Sequence, residues 1–346
     1  MIKKLLFTAL SICLPSMLIA DPIDYDTAKK LAFSYVSVGV EPTLVKKALR
    51  SEAKSRTLSE KVKSTSPYYI FSRGENNGFV IVSGDDCLPK ILGYTENGNF
   101  DEKTLPPHLL NWLNHYGNLI EEAQLKGENV SRDVESRAPE RNVLTANKVN
   151  VDPLVTAHWH QSGPYNNLCP TVGGERSVTG CVATAISQIM YAHKYPAKGI
   201  GSKTYTTESH GLQLNVNFGA TTYDWGNMLP YYKNNYNSTQ ANAVATLMYH
   251  VGVAADMDYD PDGSGAISSA ALANMGTYFG YDKGIQTLPK DYMKEEDILN
   301  AIVADLEIGH PVYVSGATKN KEGHAFVCDG IKSDGYLHIN WGWDGV

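Results

Sequence analysis

Thr179-Gly180-Cys181 stands directly before an apolar run in which Val182, Ala185, Ile186, Ile189 and Met190 recur at three- and four-residue spacing. That periodicity asks for a buried helix whose first residue is a thiol. A helix start offers unpaired N–H groups and the positive end of the helix dipole, and both favour a thiolate. The apolar stripe anchors the helix to a core and leaves its tip, with Cys181, exposed. Such a chain has to build a second layer that covers the stripe and brings other chemistry to the tip.

That layer is legible far downstream. Pro311-Val-Tyr-Val-Ser, Gly323-His-Ala-Phe-Val-Cys-Asp-Gly and Tyr336-Leu-His-Ile-Asn-Trp-Gly-Trp are strand-like runs separated by turn residues. His324 follows Cys181 by 143 residues, and Asn340 follows His324 by 16. Cysteine, histidine and asparagine in this order and at about this separation match the papain-like arrangement. On neighbouring strands facing the helix, His324 takes the thiol proton and later protonates the leaving amine. Asn340 would hold the imidazole, with Trp341 shielding that hydrogen bond from water. Taken singly, each residue has a plainer meaning. A lone cysteine at a helix start is usually a small buried apolar residue, and a lone strand histidine is often a satisfied core residue.

Several blocks taken together resemble the streptopain family of cysteine peptidases, with the layout of interpain-type secreted zymogens. They are Gln161-Ser-Gly-Pro-Tyr-Asn, Thr179-Gly-Cys-Val-Ala-Thr-Ala with Gln188-Ile-Met, Tyr223-Asp-Trp with Met228-Leu-Pro, Asp256-Met-Asp-Tyr, Gly323-His-Ala-Phe-Val and Asn340-Trp-Gly-Trp. The likeness runs from about Lys148 to the last residue. It implies Cys181 as nucleophile, His324 as general base, and Gln161 as oxyanion-hole donor beside the Cys181 backbone N–H. It further implies Asn340, Trp341 and Trp343 as the segment flanking the histidine, and Gly323 and Ser264 as substrate contacts. A hydrophobic substrate residue before the cleaved position is the family preference. Relatives usually continue past Trp-Gly-Trp, so the sheet is expected to be C-terminally incomplete at Val346. Cys169 and Cys328 stand where relatives often have other residues.

Composition suits an exported enzyme. Lys3-Lys4 precede an apolar stretch from Leu5 to Ile19 and Ala20, which reads as a signal peptide over residues 1–20. Neither this stretch nor any later one reaches the length of a membrane span, about 20 residues. The formal charge is −7 and becomes −9 without the two leader lysines, which argues against a nucleic-acid partner. Cys87, Cys169, Cys181 and Cys328 remain after the leader, too few for a disulfide scaffold. With Cys181 free, at most one disulfide can form.

The mature length predicts two domains. Residues 21–147 open with a helix over Tyr25 to Val36, then a hairpin of Tyr68-Tyr-Ile-Phe and Phe79-Val-Ile-Val turned at Asn76-Asn77-Gly78. Lys90-Ile-Leu-Gly-Tyr adds a strand. Pro106-Pro107 starts a helix with Leu109, Trp112, Leu113, Tyr116 and Ile120 on one face. The charge-dense run from Glu121 to Arg141 reads as the start of a linker extending to about 147. This half has no nucleophile–base pair, and its Gly78-Phe-Val-Ile-Val-Ser-Gly-Asp-Asp block resembles the family's pro-region. It is therefore expected to be a propeptide that inhibits its own enzyme, removed by a cut at Lys148-Val149. Residues 148–346 are the peptidase domain.

Two motifs are weaker. Asp258, Asp260, Asp262 and Gly263 fit the opening of an EF-hand, but Ser269 falls where a bidentate Glu belongs and Pro261 interrupts the loop. His158-Trp159-His160 has no third ligand at zinc-like spacing. No metal and no cofactor are expected. The expected fold class is α+β: a papain-like domain, with the Cys181 helix packed on an antiparallel sheet or barrel carrying His324, preceded by an α+β propeptide. The expected function is that of a secreted zymogen endopeptidase acting on protein and peptide substrates. Its rivals are a non-catalytic binding or adhesion protein on the same shell, and an amidase or transglutaminase-type enzyme.

Overall fold

The computed structural model describes residues 5–6, 21–36, 40–50, 60–86, 88–105, 107–128, 149–233, 235–317 and 323–345. Most of the expected leader, Cys87 and Lys148 lie outside them. The described residues fall into two units, one within 21–128 and one made of 149–345 together with residues 5–6.

In the first unit the expected hairpin forms. Tyr68–Ser72 (β2) pairs antiparallel with Phe79–Ser83 (β3), from Tyr68↔Ser83 to Ser72↔Phe79. Gly78 makes the turn at φ +84, where a Cβ would lie 2.0 Å from the Thr95 carbonyl oxygen. Thr43–Lys47 (β1) and Ile91–Tyr94 (β4) complete the sheet in the order β1-β2-β3-β4. Both inner strands are apolar on both faces because both faces are covered. Helix α1 (Tyr25–Phe33) lays Ala28 and Ala32 on one side, with Tyr25 against Tyr69 and Phe71. Helix α2 (Pro107–Glu128) lays Leu109, Leu113 and Ile120 on the other, against Tyr68, Ile70, Phe79 and Ile81.

Three expectations are corrected here. Helix α1 stops at Phe33 rather than Val36, capped at Ser34. The linker expected from Glu121 is helical to Glu128. Its Glu121 and Gln124 are buried, and Gln124 bonds the carboxylate of buried Asp85 (2.9 Å) and the Arg50 guanidinium (2.8 Å). Strand β1 was not anticipated. It is an edge strand of alternating exposure that carries two lysines, a pattern that protects an edge from further pairing.

The second unit is built around helix α3 (Cys181–His193). Every residue from Val182 to Tyr191 except Ile189 is buried, so the expected stripe has become a nearly complete apolar surround. Helix α4 (Ser238–Ala254) and the sheet of β7 (Val312–Ala317), β8 (Gly323–Ile331) and β9 (Leu337–Asn340) supply it. The sheet is antiparallel with β8 in the middle. Ala325 and Val327 of β8 join the α3 core, whereas Cys328 and Ile331 pack with helix α6 (Glu295–Glu307) in a second cluster. Between α4 and α6 comes α5 (Ser268–Phe279), and before α4 a hairpin of β5 (Ser202–Thr206) and β6 (Gln213–Asn217). The segment entering this unit runs along the end of β8: Val151 and Ile331 exchange backbone hydrogen bonds at 2.8 and 2.9 Å. Past it, Val155, Ala157 and Trp159 are buried alternately with exposed Thr156 and His158. No helix among the described residues is long and apolar enough to cross a membrane.

Candidate active site

Cys181 begins α3 as expected, and glycine is required before it. Gly180 sits at φ +82, ψ 144 as the N-cap. Its carbonyl accepts from the Thr184 N–H (3.1 Å) and the Thr184 hydroxyl (3.0 Å). One residue earlier, the Thr179 N–H donates to the Gln161 carbonyl at 3.0 Å. That bond brings Gln161 to the nucleophile's own strand of backbone, although 20 residues separate them in sequence. The thiol does not follow the dipole expectation. Burial pushes it above the ordinary cysteine value, while hydrogen bonds with the backbone of Ala325, Val182 and Cys181 itself pull the other way. Desolvation outweighs the helix end, so ionisation needs a base to take the proton.

That base is available next to Ala325. His324 is buried at the head of β8, and its Nε2 lies 3.1 Å from the Trp341 carbonyl oxygen. A carbonyl only accepts, so Nε2 carries the hydrogen and Nδ1 carries the lone pair that can receive a thiol proton. The Trp341 indole lies almost parallel to the imidazole, 17° off, at 6.3 Å, and Phe326 packs against both rings.

Asn340 departs from expectation. Its side chain does not hold the ring. The Nδ2 donates to the Ala157 carbonyl at 2.8 Å, and the Oδ1 accepts from the Gly342 N–H at 3.1 Å. Asn340 thus braces the turn that presents the Trp341 carbonyl, and the backbone of Trp341, not the Asn340 amide, meets the imidazole. Gly342 and Gly345 take positive φ values of +68 and +82 where the turn lies against its neighbours. A Cβ there would sit 2.9 Å from Thr184 Cγ2 and 1.8 Å from His158 Nδ1 respectively.

The remaining sequence-selected residues are placed as follows. Ser264 Oγ donates towards the Val178 carbonyl (2.7 Å) and the Asp260 carbonyl (3.1 Å), and accepts from the Asp260 N–H (3.0 Å). It ties its loop to the segment before Cys181. Gly323 is exposed at the start of β8, paired with Ala317, with only ordinary contacts around a notional Cβ. Trp343 meets His160 edge to face at 4.8 Å. Lys148 lies outside the described residues. Cys169, Cys181 and Cys328 are free thiols, and burial pushes Cys169 and Cys328 up to about 12.

Two of the three acidic residues bond the turn of the β5–β6 hairpin. Asp258 accepts from the Ser209 N–H and hydroxyl, and Asp260 pairs with His210 at 2.8 Å. His158 and His160 pack on different partners, Tyr231 and Trp343, and burial lowers the pKa of both. Among the described residues, no three His, Cys, Asp or Glu side chains gather around one ion position.

The sequence reading missed Tyr313. Read only as a strand residue, it is close enough to Cys181 to feel its charge, and its hydroxyl meets Ser268 Oγ at 2.7 Å, joining β7 to the start of α5. It also missed Ala157, which serves through a backbone carbonyl and so leaves no sequence signal.

Comparison with known proteins follows this layout. Residues 159–346 match the Peptidase C10 family, and residues 20–120 match the Spi protease inhibitor family. Streptopain of Streptococcus pyogenes is 33% identical over 299 residues, covering 82% of this chain and 73% of that protein. The structure of a prointerpain A fragment from Prevotella intermedia aligns at a TM-score of 0.68 with 33% identity, over 88% of this chain and 89% of that one. Active wild-type interpain A, a cysteine protease of the same organism, aligns at 0.54 with 40% identity, over 57% and 83%. A thiol heading a buried helix, an imidazole on the sheet beside it and an inhibitor-type unit ahead of both are thus the parts of one family plan, and the chain belongs to the Peptidase C10 family of cysteine peptidases, with a Spi-type propeptide domain.

Proposed function

We propose that the chain is a secreted endopeptidase made as an inactive zymogen, with Cys181 and His324 as its catalytic pair. Nδ1 of His324 takes the thiol proton, and the sulfur attacks the peptide carbonyl. The Gln161 side chain and the Cys181 N–H hold the resulting oxyanion. The C–N bond breaks as His324 returns the proton to the leaving amine, leaving a thioester. His324 then deprotonates a water that hydrolyses the thioester, regenerating the thiol and releasing the acid. Asn340 and Trp341 keep the imidazole in its working tautomer. Gly323 and Trp343 border the substrate, and no cofactor takes part. Residues 1–20 direct export, and residues 21–147 restrain residues 148–346 until a cut near Lys148-Val149. What carries the reading is the bond from His324 Nε2 to a carbonyl, because it leaves Nδ1 basic on the residue next to Ala325, whose backbone meets a thiol that burial keeps protonated.

The test compares wild type with Cys181→Ala, each incubated with a thiol reductant and denatured casein and followed on gels. Wild type is expected to degrade casein and to shorten to a species whose new N-terminus lies near Val149, while Cys181→Ala does neither. A folded wild type that stays inert after an outside protease removes its first unit would overturn the reading and favour a binding protein.

A further inference from the structure

Asp329 lies five residues beyond His324 on β8, in the strand-like run but beyond the Gly323-His-Ala-Phe-Val block that carries the family resemblance. It is fully buried and sits where β8 bulges, between Cys328, which pairs with Ile339, and Gly330, which pairs with His338. An ionised side chain in such a place has to be matched by hydrogen bonds. Oδ2 accepts from the Val155 N–H at 2.9 Å, Oδ1 lies 2.6 Å from His338 Nδ1, and its backbone carbonyl accepts from the Leu154 N–H at 2.9 Å. Both side-chain oxygens therefore clamp segments leading into the site. One is the incoming segment at Val155. The other is β9, two residues ahead of Asn340.

Those two segments meet again where the imidazole is aligned. Two residues after Val155, the Ala157 carbonyl accepts from Asn340 Nδ2. Asn340 then holds Gly342, and the carbonyl between them, that of Trp341, receives the His324 Nε2–H. The same segment continues through Trp159, whose carbonyl accepts from the Asp344 N–H at 3.1 Å, to Gln161, whose carbonyl accepts from Thr179. Residues 155–161 thus form a rail along which the acceptor for Asn340 and the backbone of Gln161 are spaced, and Asp329 fixes one end of it. Close backbone packing leaves the rail little slack: a Cβ at Gly330 would lie 2.8 Å from the Val151 carbonyl oxygen.

We infer that Asp329 is a positioning residue of the catalytic site, holding residues 155–157 so that Asn340 and the Trp341 carbonyl keep His324 aligned. The inference rests on the Cys181–His324 reading above. A small displacement of an aligned group lowers the chemical step far more than substrate binding. The Trp341 carbonyl also stabilises the imidazolium by accepting its proton-bearing Nε2. A loosened carbonyl therefore makes the imidazolium easier to deprotonate.

The test measures peptide hydrolysis against pH for wild type, Asp329→Ala, Asp329→Asn and Asp329→Glu after maturation, with Cys181→Ala as the blank. Rates are normalised to the sites titrated by a stoichiometric thiol reagent, so that loss of folded protein does not count as loss of rate. Asp329→Ala is expected to lower kcat by about tenfold to a hundredfold with KM within about threefold, and to move the acid limb of kcat/KM to lower pH. Asp329→Asn, which keeps an acceptor for Val155 and a polar partner for His338, restores most of both. Where Asp329→Ala yields no folded protein, Asp329→Glu decides, since it keeps the charge but displaces the rail by one methylene. Its kcat is expected to fall and its acid limb to move. Normal kcat per titrated site and an unmoved limb in the folded Ala or Glu variant would overturn the inference. An inactive wild type would overturn instead the reading on which it rests.

Discussion

Replacing Gly180 with alanine places a methyl group in a filled position directly before Cys181. The backbone there is at φ +82, ψ 144, and the new Cβ would lie 2.7 Å from Met257 Sδ, 2.8 Å from Met257 Cε and 2.9 Å from the Ser264 carbonyl oxygen. Two costs add. A positive-φ backbone with an extended ψ, outside the left-handed helical well, costs an L-residue about 1–3 kcal/mol, and forcing a methyl into a filled core costs about 1–3 kcal/mol. Met257 can shift part of the way, but the Ser264 backbone is tied to Val178 through its own hydroxyl. The sum is about 4 kcal/mol, a large share of a typical stability of about 5–15 kcal/mol. For a unit of this size it corresponds to a fall in Tm of about 8–16 °C. Gly201→Ala is the control for a positive φ without crowding, because Gly201 has φ +64 with no atom within 4 Å of a notional Cβ. It carries the backbone cost alone, about 1–2 kcal/mol. The assay is thermal unfolding of both variants in the Cys181→Ala background, which prevents self-digestion. Equal Tm losses in the two variants would refute the packing argument. In the active background, Gly180→Ala is also expected to lose turnover, since the displaced residue is the one preceding the thiol.

Two pH dependences follow from burial. His250 is buried, with Nδ1 3.0 Å from the Tyr223 hydroxyl, and desolvation lowers its pKa to about 4. The unfolded chain, with a histidine near 6.5, takes up this proton first. Its contribution is therefore complete above pH 6.5 and is lost as pH falls towards 4, by about 3 kcal/mol at most. Urea midpoints measured between pH 7 and pH 4 are expected to fall less steeply for His250→Gln, and parallel curves would rule the effect out. For the nucleophile, the raised thiol pKa predicts that iodoacetamide alkylation of Cys181 in the full chain keeps accelerating through the ordinary thiol range. A rate already at its plateau below neutral pH would show that a stable thiolate is present instead.

How much of this was legible in the sequence depends on which atoms do the work. Helix α3, hairpin β2–β3 and strands β7 to β9 lie within a few residues of where periodicity and turn chemistry put them, because each buries side chains whose spacing is visible in the text. Strand β1 is hidden for the opposite reason: an edge strand with two lysines and a half-exposed pattern looks like a loop. The linker's expected start at Glu121 failed because charge density was read as solvation, while the rest of it lies outside the described residues. Gln124 is in fact buried with partners at Arg50 and Asp85, which lie 74 and 39 residues away.

The catalytic neighbourhood divides along the same line. Cys181 and His324 were legible as side chains of a given type in a given order. The alignment of the imidazole was not, because it runs through the carbonyls of Trp341 and Ala157, and every residue in the chain has a carbonyl. The motif reading assigned that task to the Asn340 amide, the nearest side chain capable of it. The fold instead uses Asn340 to fix a turn and lets the turn's backbone do the aligning. Ser264 repeats the point, since its hydroxyl ties a loop to the Val178 carbonyl. In both cases the residue type marks where the chain must be held, and only the distances show which atom does the holding. It follows that substitutions at Asn340 and Asp329 should be read by what they do to the Trp341 carbonyl, and that a variant restoring the backbone path should restore turnover even when the original side chain is gone.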